Sequence, residues 1–269
     1  MQSFHMTDRL AGLHVLITGG GGGIGAASAR RVVSEGAQVL LADMNADAAR
    51  AVADELGQAW IQADVTKAED IQRMVDTAYQ RWGRLDVLFN NAGIANLRPL
   101  LELNEADWDQ TLNVNLRAVF FVLQAVARQM RSQSPIPGSE LRGKLIQTAS
   151  IAAFRGGLLY QAHYSASKAG VVSVTRTAAT ALAADRITSN CICPGAVDTP
   201  MWTRIDADWA ELEGLQIGEA WKRRTSIIPL GRPEKADDVA GVLAFLASRD
   251  ADYMTGQAVI VDGGLVMGN

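Results

Sequence analysis

An α/β fold with one doubly wound, seven-stranded parallel sheet is predicted by three observations. Seven short apolar runs alternate with helical patterns along the 269 residues. The first run, Leu13-His14-Val15-Leu16-Ile17-Thr18, leads into Gly19 to Gly23, then Ile24-Gly25 and an Ala-rich helical pattern. The second run, Gln38 to Ala42, ends in Asp43, eighteen residues beyond Gly25. Alternation of this kind calls for right-handed crossovers between parallel strands, with helices on both faces and ligands at the carboxyl ends of the strands.

In chain order, the strands are expected near 13–18, 38–43, 58–63, 85–90, 144–149, 187–193 and 257–262, with amphipathic helices between them. After the first strand, the glycine turn lets backbone approach a pyrophosphate, and the helix N-terminus offers N–H groups and a positive dipole end. Gly19, Gly23, Ile24 and Gly25 are therefore candidate dinucleotide contacts. The bland reading, a flexible linker, does not suit a cluster held between an apolar strand and a helix. Asp43, at the end of the second strand, can accept hydrogen bonds from an adenosine ribose and repel a 2′-phosphate, which points to NAD over NADP. Gly22 and Met44 stand where a phosphate-binding cation would help. A turn or helix-capping role for Asp43 is the competing reading, since Asn45 follows.

The later strand ends carry small and polar residues. Ala63-Asp64-Val65 follows the third strand, with Asp64 able to accept from an adenine amino group, and Asn90-Asn91-Ala92-Gly93 follows the fourth. Ala92 and Gly93 would let a cofactor lie close to backbone, although turn chemistry alone also favours Asn and Gly. The fifth strand ends in Thr148-Ala149-Ser150 and the sixth in Cys193-Pro194-Gly195-Ala196-Val197-Asp198-Thr199. Together these predict a single Rossmann-type domain over 12–269, preceded by an N-terminal extension, 1–11.

Bulk properties agree with a compact enzyme and exclude several alternatives. A chain of this length buries about three quarters of its surface on folding. A net charge of −4 gives no electrostatic reason to expect nucleic acid or an anionic membrane. Neither a signal pattern nor a run of 18 apolar residues is present, so a cytoplasmic location is expected. Cys191 and Cys193 read as core, and His5, His14 and His163 lack ligand spacing, so no metal site is expected. The segment Ser132 to Ser139 reads as a surface loop.

The strongest chemical signal is Tyr164-Ser165-Ala166-Ser167-Lys168. A phenol and an ammonium four residues apart share one helix face, and with four Tyr and five Lys in the chain such a pair is expected by chance well under once. Free tyrosine titrates near pH ~10, so a base acting near pH ~7 needs roughly 4 kcal/mol of stabilisation of its phenolate. A nearby cation is expected to supply part of it.

These motifs, in this order and spacing, resemble the short-chain dehydrogenase/reductase family from Gly12 to Gly264, essentially end to end. The resemblance rests on Thr18-Gly19, Gly23-Ile24-Gly25, Asn90-Asn91-Ala92-Gly93, Ser150, Tyr164 to Lys168 and Pro194-Gly195. It implies a catalytic group of Asn115, Ser150, Tyr164 and Lys168. Tyr164 would be the base, Ser150 would orient the reacting oxygen, Lys168 would hold the nicotinamide ribose, and Asn115 would anchor a water leading to solvent. The resemblance adds Pro194, Gly195, Val197 and Thr199 to the cofactor site, with Val197 and Thr199 fixing the carboxamide.

One departure stands out. Ser150 precedes Tyr164 by fourteen residues, one more than is usual in the family, which places an extra residue in the loop Gly156 to Gln161. Thr148 is the alternative hydroxyl, and Tyr160 lacks a lysine four residues on.

Substrate choice is expected to rest on 200–226, where Met201, Ile205, Trp209 and Leu212 recur at helical spacing before Gly214, Gly218 and Trp221. A substrate lid and a subunit contact both fit. Met201 to Asp206, Gly218-Glu219 and Pro229 to Pro233 look like the branch of polyol dehydrogenases of the sorbitol type and acetoin/butanediol dehydrogenases. The implied substrate is a small polyol, vicinal diol or hydroxyketone, with Gln161, Asn96, Arg155 or His163 as candidate partners for extra hydroxyls. A 3-oxoacyl or other keto-ester reductase is the alternative, and a non-enzymatic NAD sensor would have no need of all four catalytic residues. The family implies a homotetramer, built on long helices at 104–131 and 163–184, with Phe120, Phe121 and the 257–269 tail as interface candidates.

Overall fold

The computed structural model describes residues 8–155 and 159–267. The first seven residues of the extension, residues 156–158 of the expected insertion and the last two residues of the tail lie outside that description.

The chain runs β1 (His14–Thr18), α1 (Gly23–Ser34), β2 (Gln38–Asp43), α2 (Ala46–Leu56), β3 (Ala59–Gln62), α3 (Ala68–Trp82) and β4 (Val87–Asn90). Then come α4 (Glu105–Leu112), a π-helical turn (Asn113–Ala118), α5 (Val119–Ser132), β5 (Gly143–Thr148), α6 (Ala162–Leu182) and β6 (Ile187–Pro194). The last third holds β7 (Val197–Asp198), α7 (Pro200–Glu213), α8 (Glu219–Ser226), β8 (Glu234–Lys235), α9 (Ala236–Ala247) and β9 (Ala258–Val261).

Seven strands form one all-parallel sheet in the order β3-β2-β1-β4-β5-β6-β9. Helices cover both faces, which explains why the central strands are near-continuous apolar runs and not alternating ones. On one face, Val32 of α1 and Leu243 of α9 pack over Val15, Ile17, Val39 and Leu41. On the other, Met74 and Val75 of α3 and Val122 and Val126 of α5 cover Leu16, Leu40, Leu88 and Leu145. Cys191 and Cys193 are free, buried thiols in the core beside Val171 and Val172.

The order of strands reverses between β1 and β4, and a doubly wound sheet opens its ligand crevice at such a point. Gly19, at the end of β1, has φ +65°, and a Cβ there would stand 2.9 Å from Ala92 Cα beyond β4. Only glycine suits that backbone at that approach.

The sheet matches the expected one, with several strands shorter by one or two residues. Two features differ. The expected 104–131 helix is interrupted by the π turn, and a small parallel pair, β7 with β8, was not anticipated because two-residue strands carry no periodicity. The expected 163–184 helix is α6 followed by a short 3-10 turn, Ala183–Asp185.

Candidate active site

A cavity of about 460 Å³ opens over the carboxyl ends of the strands. Its wall includes Gly19, Gly23, Ile24, Asp43, Asp64, Val65, Asn91, Ala92, Gly93, Ser150, Tyr164, Lys168, Pro194, Gly195, Val197 and Thr199. Two expected contacts do not line it. Gly25 lies beneath the turn, where a Cβ would fall 2.0 Å from Gly19 O, so it serves the close seating of α1 on β1. Asn115 is fully buried behind the wall.

Asn115 nevertheless shapes the site. Its Oδ1 accepts from Ile94 N at 2.8 Å, and its Nδ2 donates to Ile94 O at 2.8 Å and to Ser167 Oγ at 3.3 Å. The π turn lets the helix present this amide to the loop after β4, in keeping with the placement of such turns at functional sites. One side chain thus ties that loop to α6 beside Tyr164 and Lys168.

Ser150 follows β5 and caps a short 3-10 turn, its Oγ accepting from Ala152 N at 3.1 Å. Tyr164 sits in the first turn of α6, with Lys168 one turn on. The Lys168 ammonium lies 5.7 Å from the Tyr164 ring centroid and donates to Thr148 O at 2.8 Å. Placement therefore agrees with the expected pair, but its electrostatics differ in the protein alone. Burial pushes the Tyr164 phenol above its ordinary value, with the neighbouring Ser150 hydroxyl opposing that rise. The same burial lowers Lys168 to about 8. Desolvation is the largest influence on both groups, since both sit in the protein wall. Thr148, the alternative hydroxyl, also lines the cavity; its Oγ1 donates to Asn91 Oδ1 at 3.1 Å and its carbonyl accepts from Lys168.

At the opposite end, Asp43 Oδ2 accepts from Gly21 N and Oδ1 from Asn45 N, both at 2.9 Å. The carboxylate thus braces the glycine turn while facing the cavity, so the turn-acid reading and the ligand reading share one residue. Asp64 Oδ1 accepts from Thr66 N and Oγ1. Lys168 and Arg224 are the only Lys or Arg side chains in the cavity wall among the described residues, so nothing basic joins Asp43 there.

A dinucleotide fits these residues. No side chain caps α1 at Gly22, and the first-turn N–H groups of a helix have no intrahelical partner to give up. Beside Lys168, a Cβ at Gly93 would stand 3.5 Å from the ammonium and 3.2 Å from Asn115 Oδ1, so glycine keeps that wall open.

The sequence displays neither the π turn nor the role of Glu234, and it shows Thr18 only as part of a motif. Thr18 Oγ1 accepts from Asn91 N and Ala92 N at 2.9 and 3.1 Å, fixing the loop after β4. Glu234 of β8 is buried, and its Oε2 accepts from Gly195 N at 2.7 Å. Burial, with Asp238 and Asp262 nearby, raises its carboxyl to about 8 against the Gly195 N–H and Arg232. Spacing along the chain signals neither residue, because each partner is far away in sequence.

The far wall comes from α7 and α8, the two short helices expected at 200–226. Met201, Trp202, Ile205, Trp209 and Arg224 line it. Of the four proposed hydroxyl partners, only Gln161 faces the cavity. Asn96 accepts from Arg204, and Arg155 stands outside the wall beside Arg224. His163 is fully buried, with neither ring nitrogen partnered among the described residues, and burial lowers its basicity. Tyr160 lies edge-on to Trp209, its ring centroid 6.4 Å away. Among the described residues no three His, Cys, Asp or Glu side chains gather as metal ligands, and no helix is long and apolar enough to cross a membrane.

Known proteins are similar to this chain over most of its length. A family profile described as enoyl-(acyl carrier protein) reductase matches residues 20–266. Sorbitol dehydrogenase of Cereibacter sphaeroides is 42% identical over 258 residues, 95% of this chain and 98% of that protein. L-2,3-butanediol dehydrogenase of Corynebacterium glutamicum is 38% identical, covering 93% and 97%. The crystal structure of levodione reductase superposes with a TM-score of 0.86 at 34% identity, covering 94% of this chain and 97% of that one. The chain belongs to the short-chain dehydrogenase/reductase family. Dehydrogenases of this family use a nicotinamide cofactor.

Proposed function

We propose that this protein is an NAD-dependent oxidoreductase that interconverts a secondary alcohol, carried on a polyol or vicinal diol, and its ketone. The observation that carries this reading is the convergence of Ser150, Tyr164 and Lys168 on the cavity that also receives the glycine turn and Asp43. Bound there, an oxidised nicotinamide supplies the hydride acceptor and a positive charge.

The chain's own groups handle the proton and the oxygen. Tyr164 Oη takes the hydroxyl proton during oxidation and returns it during reduction. Ser150 Oγ hydrogen-bonds the reacting oxygen and stabilises the charge that develops on it. Lys168, fixed by Thr148 O, adds a positive charge beside the phenol and would hold the ribose of a bound nicotinamide cofactor. Because burial holds the phenol neutral in the protein alone, the ionised base depends on charge gathered in the assembled site. Asn115 acts through position, by holding the Ile94 backbone and Ser167 in place.

Asp43 supports NAD over NADP: a carboxylate without a neighbouring cation repels a 2′-phosphate. The substrate class is supported by the relatives named for sorbitol and butanediol, and by Gln161 among the hydrophobic groups of the far wall. We also propose a cytoplasmic homotetramer, with the exposed Phe120 and Phe121 of α5 in a subunit contact.

A spectrophotometric screen for cofactor reduction, with NAD and NADP against sorbitol, galactitol, butanediol and acetoin, tests the reading. Turnover of a polyol or diol with NAD as the better cofactor is expected. Preference for NADPH and an oxoacyl ester would contradict it.

A further inference from the structure

Arg224 is a cation that the reaction does not use, yet it faces the cavity. Its position is built in by the two short helices. Asp206 of α7 accepts hydrogen bonds from Gly218 N and Trp221 N at the start of α8, and Trp202 packs on Trp221 with ring centroids 5.1 Å apart. Arg224 follows Trp221 by one helical turn, so it shares the inward face. Its neighbour Arg223 makes the surface ion pairs of this turn, with Glu213 and Glu219.

Arg224 has no salt-bridge carboxylate among the described residues. Asp262 is near enough to influence it, but the two oxygens of Asp262 accept from Gly264 N and Val266 N. Arg155 presents a like charge. Burial and Arg155 together lower the Arg224 guanidinium to about 10. A helix C-terminus favours a cation only weakly. A guanidinium in a partly desolvated cavity wall, without a salt-bridge carboxylate among the described residues, leaves an electrostatic demand that an oxyanion would meet.

We infer that Arg224 receives an oxyanion on the substrate, so that the polyhydroxylated substrate carries a carboxylate or phosphate away from the reacting carbon. This rests on the dehydrogenase reading above and narrows its substrate class to acidic polyols. The fork of a guanidinium suits both anions, and the ligand that wins identifies which one it is.

Calorimetric titration of the protein, alone and with NADH, against sorbitol, gluconate and sorbitol 6-phosphate provides the test. At least one anion should bind roughly 10-fold or more tightly than sorbitol, and Arg224→Leu should cut that preference roughly 10- to 100-fold. Arg224→Lys should retain part of it. Sorbitol binding as tightly as both anions in the unmodified protein overturns the inference, and that comparison needs no variant to fold. An unchanged preference in Arg224→Leu also overturns it, as does an equal loss of NADH affinity with the preference intact, which would assign the guanidinium to the cofactor. If the Arg224-dependent preference holds while neither these compounds nor the alcohols of the screen above reduce NAD or NADP, the anion site stands and the dehydrogenase reading fails.

Discussion

At single residues, burial sets the charge states that matter. Tyr164 is raised and Lys168 lowered for the same reason, so their closeness in sequence identifies the pair without fixing its protonation. Glu234 shows the same force on a carboxyl. Its folded value, about 8, lies above that of an unfolded glutamate, so between roughly pH 4.3 and 8 the folded state holds the extra proton. Its contribution to stability is therefore present below that window and is lost as pH rises through it, on the order of 5 kcal/mol in all. Glu234→Gln cannot ionise, so its melting temperature relative to the unmodified protein should climb between pH 5 and pH ~8.5. A difference that stays constant with pH, read by scanning calorimetry, would show that Glu234 is not held protonated.

Elements differ in how much of them the sequence displays. The glycine turn and Tyr164 to Lys168 were legible because their chemistry is local: a strand runs into a turn, or two side chains share one helix face. Asn115 was legible only as a motif. Its actual work, two 2.8 Å hydrogen bonds to the Ile94 backbone, depends on the π turn, and helical periodicity does not announce such a turn. Glu234 and Arg224 act through partners brought near by crossovers, so neither spacing nor residue type marks them, and Thr18 was legible only as part of a motif. Asn115→Leu would remove the partner of the half-buried Ile94 N–H and carbonyl, at a cost of about 1–2 kcal/mol. A lower melting temperature together with a larger fall in kcat than in NADH affinity is expected. A variant as stable and active as the unmodified protein would remove Asn115 from the support of the site.

For the whole molecule, the same parallel sheet that buries two apolar faces brings six strand ends to one cavity. Fold class and strand order of this kind follow from alternation along the chain, but association between copies does not. Phe120 and Phe121 are 40% and 39% exposed on α5 and lie edge to face, with Arg117 over the Phe121 ring. Aromatic groups displayed this way suit a subunit contact. Light scattering should give a mass near four chains, and Phe120→Asp with Phe121→Asp should shift it to smaller species that remain folded. An unmodified protein that scatters as a monomer would contradict the proposed assembly.

The phenol of Tyr164 is the group on which the proposed chemistry depends, and replacing it with Phe removes one oxygen while keeping the ring. Steady-state oxidation of the best substrate and NADH binding, measured side by side on Tyr164→Phe, give the most direct reading. Turnover should fall by roughly 10²- to 10⁴-fold with the NADH dissociation constant changed by no more than about two-fold. Turnover at the unmodified rate would show that another group moves the proton.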